Sequence, residues 1–287
     1  MGFKQLYQSP QRPAISFEVF PPKNPQGLAQ LHACLNDLVA LHPAIVTVTY
    51  GAMGTTQALT QELVISFSHK HQLPVASHLT CVGASPASIR TYLQPLIRNG
   101  ITHIVALRGD APTGETLSVF GEFAYAYELV TFIRQEYPGI SMAVAGYPEK
   151  HLQASSAEED LRYLKQKVDA GADAVITQLF YSNKDYYRFR DRCTQLGIKV
   201  PIVPGLMPIT NLRQITRITA MCGATLPAPL HQALEQAQTD AAAMLNIGVA
   251  WAVSQSQDLL RQGVPGIHFY VLNRAEAAKR IIQAIST

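Results

Sequence analysis

Residues 103–112 read His103-Ile104-Val105-Ala106-Leu107-Arg108-Gly109-Asp110-Ala111-Pro112. Ile104 to Leu107 form an apolar run of the length a strand buried on both faces needs. A cation, a glycine and a carboxylate follow at once in Arg108-Gly109-Asp110. Burying an unpaired charge is costly, so charges at the carboxyl end of such a strand make sense if that end opens on a site. A salt-bridged loop explains the same residues equally well on this stretch alone. What separates the two is that the arrangement recurs along the chain.

Upstream, Ile15 to Phe20 reads as a strand stopped by Pro21-Pro22, and Ile45 to Tyr50 and Val75 to Thr80 as two more. Between them lie helical patterns: Leu28 to Leu41, with leucines at spacings of three and four; Gln57 to His71; and Pro86 to Asn99, ended by Gly100. Downstream, the strands are Ser141 to Ala145, Ala174 to Phe180, Val200 to Pro204 and Ile267 to Leu272. Phe120 to Glu136, Asn183 to Leu196 and Arg274 to Ile285 read as helices, and residues 210–262 hold two or three more. Ser155-Ser156-Ala157-Glu158 is a capping-box pattern that starts a helix running to Ala170, which Gly171 ends. Eight strand–helix units predict an α/β chain folded as one (β/α)8 TIM barrel domain over residues 1–287, with extra helices before the last strand. A doubly wound open sheet usually stops at five or six strands, and no GxGxxG follows a strand here.

Composition agrees. A length of 287 residues suits one such barrel, and 47% apolar residues supply a large core. The 23 basic and 20 acidic residues leave a net charge of +3, scattered rather than clustered, so no nucleic-acid footprint is expected. No apolar run approaches the roughly 20 residues of a membrane span. The N-terminus has no signal-peptide core, and Leu6 stands where a myristoylation signal needs Ser or Thr. A cytoplasmic protein is expected. Cys34, Cys81, Cys193 and Cys222 form no CxxC, so no sequence-local zinc or iron–sulfur motif exists and buried free thiols are expected.

A barrel of this kind builds its site from the carboxyl ends of the strands. Those ends carry Glu18, Thr49, Tyr50, His78, Thr80, Arg108, Asp110, Tyr147, Gln178, Tyr270, Asn273 and Arg274, a ring of polar groups suited to a polar ligand. Glu18 lies among Phe17, Val19 and Phe20. An apolar setting would raise its pKa and suit it to act as a general acid; the alternative is a pair with a buried cation such as Arg274. Asp160, Tyr163 and Lys167 share one helix face, with His151 in the loop before it. That face suits ribose and pyrophosphate, with Lys167 supplying charge, although a solvated face fits the same spacing. Tyr125 with Ala126 is expected to pack rather than stack on a cofactor, and His231 and Trp251, in the extra helical segment, have no functional reading.

These residues carry a resemblance to a known family. FEVFPPK, VTVTYGA, HLTC, HIVALRGD, AGYPEKH, KVDAGAD followed by ITQLF, PGLMPI and HFYVLNR occur in order between about residues 15 and 285. Together they resemble the methylenetetrahydrofolate reductases in their compact bacterial form, without the regulatory domain. The resemblance implies a flavoprotein with FAD as cofactor, NAD(P)H and methylenetetrahydrofolate as substrates, a homo-oligomer, and no control by S-adenosylmethionine. It implies that Glu18 is the general acid at N10 of the folate and that Asp110 stabilises the iminium cation. It places Tyr50, Ala52, His78, Arg108, Gly109, Asp110, Tyr125, Ala126, Tyr147, His151, Asp160, Tyr163 and Lys167 on the flavin. Thr49, Asp110, Gln178, Gln214 and Arg274 would meet the substrates. Tyr163 stands where well-known bacterial members have asparagine, Gln166 where they have arginine, and Ile218 where some have phenylalanine. A pterin-dependent methyltransferase and a non-catalytic folate-binding barrel are the rival readings.

Overall fold

The computed structural model describes residues 1–8, 13–50, 57–109 and 121–286. Among these, nine parallel strands form one sheet: β1 (Ala14–Val19), β2 (Ile45–Val48), β3 (Val75–Thr80), β4 (His103–Leu107), β5 (Ser141–Gly146), β6 (Ala174–Thr177), β7 (Ile202–Val203), β8 (Gly205–Leu206) and β9 (Gly266–Tyr270). Pro204 separates β7 from β8 and has no N–H to give to a ladder. The two pieces act as one interrupted strand: Ile202 and Val203 pair with β6, while Gly205 and Leu206 pair with β9. β1 joins β2 on one side and β9 on the other, so the predicted eightfold barrel closes.

The helices are α1 (Phe3–Tyr7), α2 (Pro25–Val39), α3 (Gln57–His71), α4 (Pro86–Arg98), α5 (Ala126–Glu136), α6 (Ala157–Asp169), α7 (Asn183–Gln195), α8 (Leu212–Cys222), α9 (Ala228–Gln236), α10 (Ala241–Arg261) and α11 (Glu276–Ile285). Strand side chains alternate between faces. Phe17, Val19, Val46, Val48, Ile104 and Phe269 therefore pack outward against the helices, while Ala14, Ile45, Ala76, Val105, Ala143 and Ala174 point into the barrel. Four of these six inward positions are alanine, and the space they leave is filled from below by Phe3, Leu6 and Tyr7 of α1. Phe3 N donates to Ser141 Oγ at 2.9 Å at the start of β5, which seats this helix at the amino end of the barrel. No strand or helix pattern in the sequence announced this floor, because a five-residue helix has too few turns to show a period.

Several boundaries shift. α5 begins at Ala126 rather than Phe120, and β6 ends at Thr177 rather than Phe180. The cap of α6 is Ser156, whose hydroxyl accepts from Glu159 N at 3.1 Å; Glu159 in turn accepts from Ser155 N at 2.8 Å. The capping pair is thus one residue later than Ser155 with Glu158 suggests. Cys34, Cys81 and Cys193 are buried free thiols and Cys222 is half-buried.

One unit needs a single helix, and α10 takes that place between α7 and α11, so α8 and α9 are the two extra helices. The three form a second core in which Leu212, Ile215, Leu230, Leu234 and Met244 pack with Leu179, Met207 and Ile209. Trp251 Nε1 donates to Tyr181 O at 3.1 Å, and His231 pairs at 3.5 Å with Glu235 of its own helix, so both serve the insertion. α10 crosses the loop after β8 at Gly248, where a Cβ would fall 1.8 Å from Ile209 O. Backbone cannot yield there without moving the helix. Gly248→Ala should lower stability by about 2 kcal/mol, read as a drop in denaturant midpoint at unchanged m-value.

Candidate active site

β1 and its neighbours bring Glu18 to the carboxyl end of the barrel interior. Its register partners are Thr47 on β2 and Tyr270 on β9. Two imidazoles converge on Oε2: His78 Nε2 at 3.3 Å and His268 Nε2 at 3.5 Å, without the alignment of a hydrogen bond. The expected apolar setting is therefore corrected. Phe17 and Val19 face outward by strand alternation, and the inward neighbours of Glu18 are histidines. Burial pushes the Glu18 carboxyl up, but the charge of His78 and the approach of His268 outweigh it, and the net direction is below the ordinary carboxylate value. Burial likewise holds His78 below the usual imidazole value, against the pull of Glu18. Arg274 is exposed at the rim and forms no pair with Glu18.

Neither His268 nor Ser16 stands out in the sequence, although each lies two residues before a residue that does. Period two puts His268 on the face of Tyr270 and Ser16 on the face of Glu18.

Across the mouth, the loop after β5 and the first turns of α6 make a second polar group. His151 N donates to Asp160 Oδ2 at 3.0 Å, and the Tyr147 ring meets the His151 ring edge-on at 4.6 Å. Lys167 Nζ donates to Ala145 O at 2.6 Å. Burial lowers the Lys167 ammonium to about 8, against the opposing pull of Asp160, with Arg108 adding to the lowering. Burial raises Asp160. The face of α6 is thus turned inward rather than solvated. Arg108 donates through Nη2 to Gln153 Oε1 and through Nε to Gly109 O at 3.3 Å. Gly109 has φ 85°, and a Cβ there would meet Val82 Cγ1 at 2.7 Å, so only glycine passes beside β3. Tyr163 stacks on exposed Tyr125 at 5.6 Å, beside Ala126 at the start of α5.

Tyr50 packs edge-on against Tyr92 at 5.4 Å, and Thr49 N donates to Val19 O at 2.9 Å. Gln178 folds its side chain onto Leu179 N at 2.8 Å, and Gln214 lies exposed in the first turn of α8. Leu272 and Asn273 both have positive φ, 49° and 56°. Asn273 clamps the loop after β9 to the end of β1 through Phe20 N at 3.0 Å and Phe20 O at 2.8 Å. Ala52 and Asp110 lie outside the described residues.

Thr47 Oγ1, fully buried beside Glu18, has no hydrogen-bond partner among the described residues. With the two Nε2 atoms, it leaves polar capacity at the mouth for a bound group. Arg108, His151 and Lys167 offer cationic and donor groups to a phosphate-bearing cofactor. These residues fit a dinucleotide.

Fold and site define a (β/α)8 barrel with a polar, partly cationic mouth. The family model for methylenetetrahydrofolate reductase matches residues 3–286. The chain is 39% identical over 271 residues to 5,10-methylenetetrahydrofolate reductase of Escherichia coli, covering 94% of this chain and 90% of that one. It is 37% identical over 281 residues to methylenetetrahydrofolate reductase (NADH) 1 of Arabidopsis thaliana, of which it covers 48%. Its fold also matches an uncharacterized Clostridium thermocellum protein that binds two copies of 5-methyl-5,6,7,8-tetrahydrofolic acid, with a TM-score of 0.70 at 17% identity over 98% of this chain and 97% of that one. This chain belongs to the methylenetetrahydrofolate reductase family.

Proposed function

We propose that this chain reduces 5,10-methylenetetrahydrofolate to 5-methyltetrahydrofolate in a ping-pong cycle with FAD as cofactor and NAD(P)H as donor, feeding methionine synthesis. The observation that carries the reading is the carboxylate of Glu18, set at the barrel mouth between two imidazoles. When bound, FAD supplies the hydride relay between nicotinamide and folate. Arg108, Gly109, His151, Asp160 and Lys167, with the Tyr125–Tyr163 pair, Ala126, Tyr50, Ala52, His78 and Tyr147, are the residues proposed to hold it. Thr49, Gln178, Gln214 and Arg274 are proposed to contact the substrates.

Glu18 is the proposed proton donor to folate N10. Its side chain is 20% exposed and held ionised by its neighbours, so it must acquire its proton as the site fills. A substrate seated over the mouth removes the remaining solvent, and desolvation is the one influence acting on Glu18 that pushes the carboxyl up. Asp110 is proposed to stabilise the cation that opens from the protonated ring, since attraction to a carboxylate is strongest where the dielectric is low. The folate-binding barrel from Clostridium thermocellum is in keeping with a folate ligand on this fold.

The test is an anaerobic absorbance spectrum of the purified protein, before and after NADH or NADPH and then after methylenetetrahydrofolate. A flavin band should bleach with the nucleotide and return with the folate. A protein that stays colourless after added FAD would remove the cofactor and move a pterin-dependent methyltransferase to the front.

A further inference from the structure

A buried chain of hydrogen bonds runs from the floor of the barrel to its mouth. Tyr7 Oη donates to Ser16 Oγ at 2.8 Å, and Ser16 Oγ lies 2.9 Å from His268 Nδ1. The opposite ring nitrogen, His268 Nε2, faces Glu18 Oε2 at 3.5 Å. Ser16 and His268 have no exposed surface and Tyr7 has 2%, so no solvent competes for these atoms. The serine has one proton to give. Its choices are His268 Nδ1 at 2.9 Å and Ile267 O at 3.5 Å; the second is at the outer limit of a hydrogen bond, and giving the proton there would leave a bare Nε2 repelled by the Glu18 carboxylate, so the serine donates to Nδ1. Nδ1 then accepts, which leaves the imidazole proton on Nε2, pointing at the carboxylate. In the other setting Nδ1 would carry the proton, and a bare Nε2 lone pair would face the carboxylate oxygen.

We propose that Tyr7, Ser16 and His268 are positioning residues for Glu18, the floor helix fixing the His268 tautomer that presents an N–H to the carboxylate. As a role in proton delivery it rests on the function given to Glu18 above. Tyr7 matters because its hydroxyl occupies an acceptor site on Ser16 Oγ and orients the serine rotor. The other titratable groups facing this chain are His78 on β3 and Tyr270 on β9, whose ring meets that of His268 edge-on at 5.0 Å. β2 adds the Thr47 hydroxyl; at the amino end His103 of β4 meets the Phe3 ring of the floor helix edge-on at 5.2 Å and Ser141 of β5 accepts from Phe3 N, while Val105, Ala143, Ala174 and Val203 are the apolar inward positions above them. A five-residue segment at one end of the barrel thereby acts on the carboxylate at the other. Packing alone would require a Phe-like ring at position 7, not a hydroxyl.

Two measurements test it. In histidine-labelled protein, long-range proton–nitrogen NMR, with the His268 signals assigned by their loss in His268→Gln, should show a protonated Nε2 and a bare Nδ1. Ser16→Ala and Tyr7→Phe should mix the two tautomers or reverse them. A wild-type Nδ1 proton, or variants with an unchanged tautomer, overturns the proposal. In rapid-mixing kinetics, Tyr7→Phe should leave flavin reduction by NAD(P)H at its wild-type rate. It should move the carboxyl limb of the folate half-reaction to higher pH by about one unit, the scale of losing one N–H dipole turned toward the charged form. Equal loss in both half-reactions, or an unmoved limb, would leave Tyr7 a packing residue only. Should the wild type reduce no folate at all, the role of Glu18 falls, and the tautomer spectrum still decides the chain by itself.

Discussion

Glu18→Gln should sharply slow folate reduction while flavin reduction by NAD(P)H proceeds at close to the wild-type rate. The folate half-reaction should fall about 10²- to 10⁴-fold, the range that one positioned acid contributes. Glutamine keeps the shape of the side chain, so the approach of His78 and His268 at 3.3 and 3.5 Å survives on one oxygen, but it has no proton to release at N10. Rapid-mixing absorbance of each half-reaction is the measurement. Equal loss in both would sink the assigned role, because a group that only shapes the mouth has no reason to act on one substrate alone. The folded-state carboxyl lies below its ordinary value, so ionised Glu18 contributes stability above that ordinary value. This contribution disappears as pH falls through the lowered one. Glu18→Gln should therefore weaken the acid-side dependence of stability as well.

Lys167→Met should produce two opposite effects. The ammonium is taken out of water with one close carbonyl, Ala145 O at 2.6 Å, and its value falls from 10.5 to about 8. At neutral pH the flavin-free protein therefore carries an under-compensated charge, and an apolar chain of similar length should stabilise it by about 1–2 kcal/mol. The same charge is what a phosphate would meet, and flavin affinity should fall about 100-fold, the value of a charge-assisted hydrogen bond of roughly 2.7 kcal/mol. The sign with pH follows. The folded value is depressed, so the penalty is complete below about 8 and disappears as pH rises toward 10.5. Thermal unfolding of flavin-free protein should show the gain at pH 7 and a smaller one near pH 10. A variant less stable than wild type at pH 7 would show that Asp160 and Ala145 already compensate the charge.

The alternation of short apolar runs with helical periods was enough to specify an eightfold barrel, because strand burial and helix amphipathicity are local properties written at periods of two and 3.6 residues. Polar groups breaking those runs at their carboxyl ends, Glu18, His78, Arg108 and Tyr147 among them, marked the mouth for the same reason. Composition and pattern alone left open what each group faces. Glu18 reads as a carboxyl among phenylalanines along the chain, yet the Phe17 ring points outward, Phe20 lies exposed beyond the strand, and the residues across the barrel, His78 and His268, are 60 and 250 positions away. Asp160 and Lys167 share a helix face whether that face is wet or buried, and only its docking on the end of β5 turns it inward. The floor helix was invisible because five residues show no period, and its function depends on alanines contributed by four separate strands. Local sequence determined the elements and which end of the barrel is chemical. The closure of the barrel decided which charges meet, because partners across it are adjacent in space and remote in sequence.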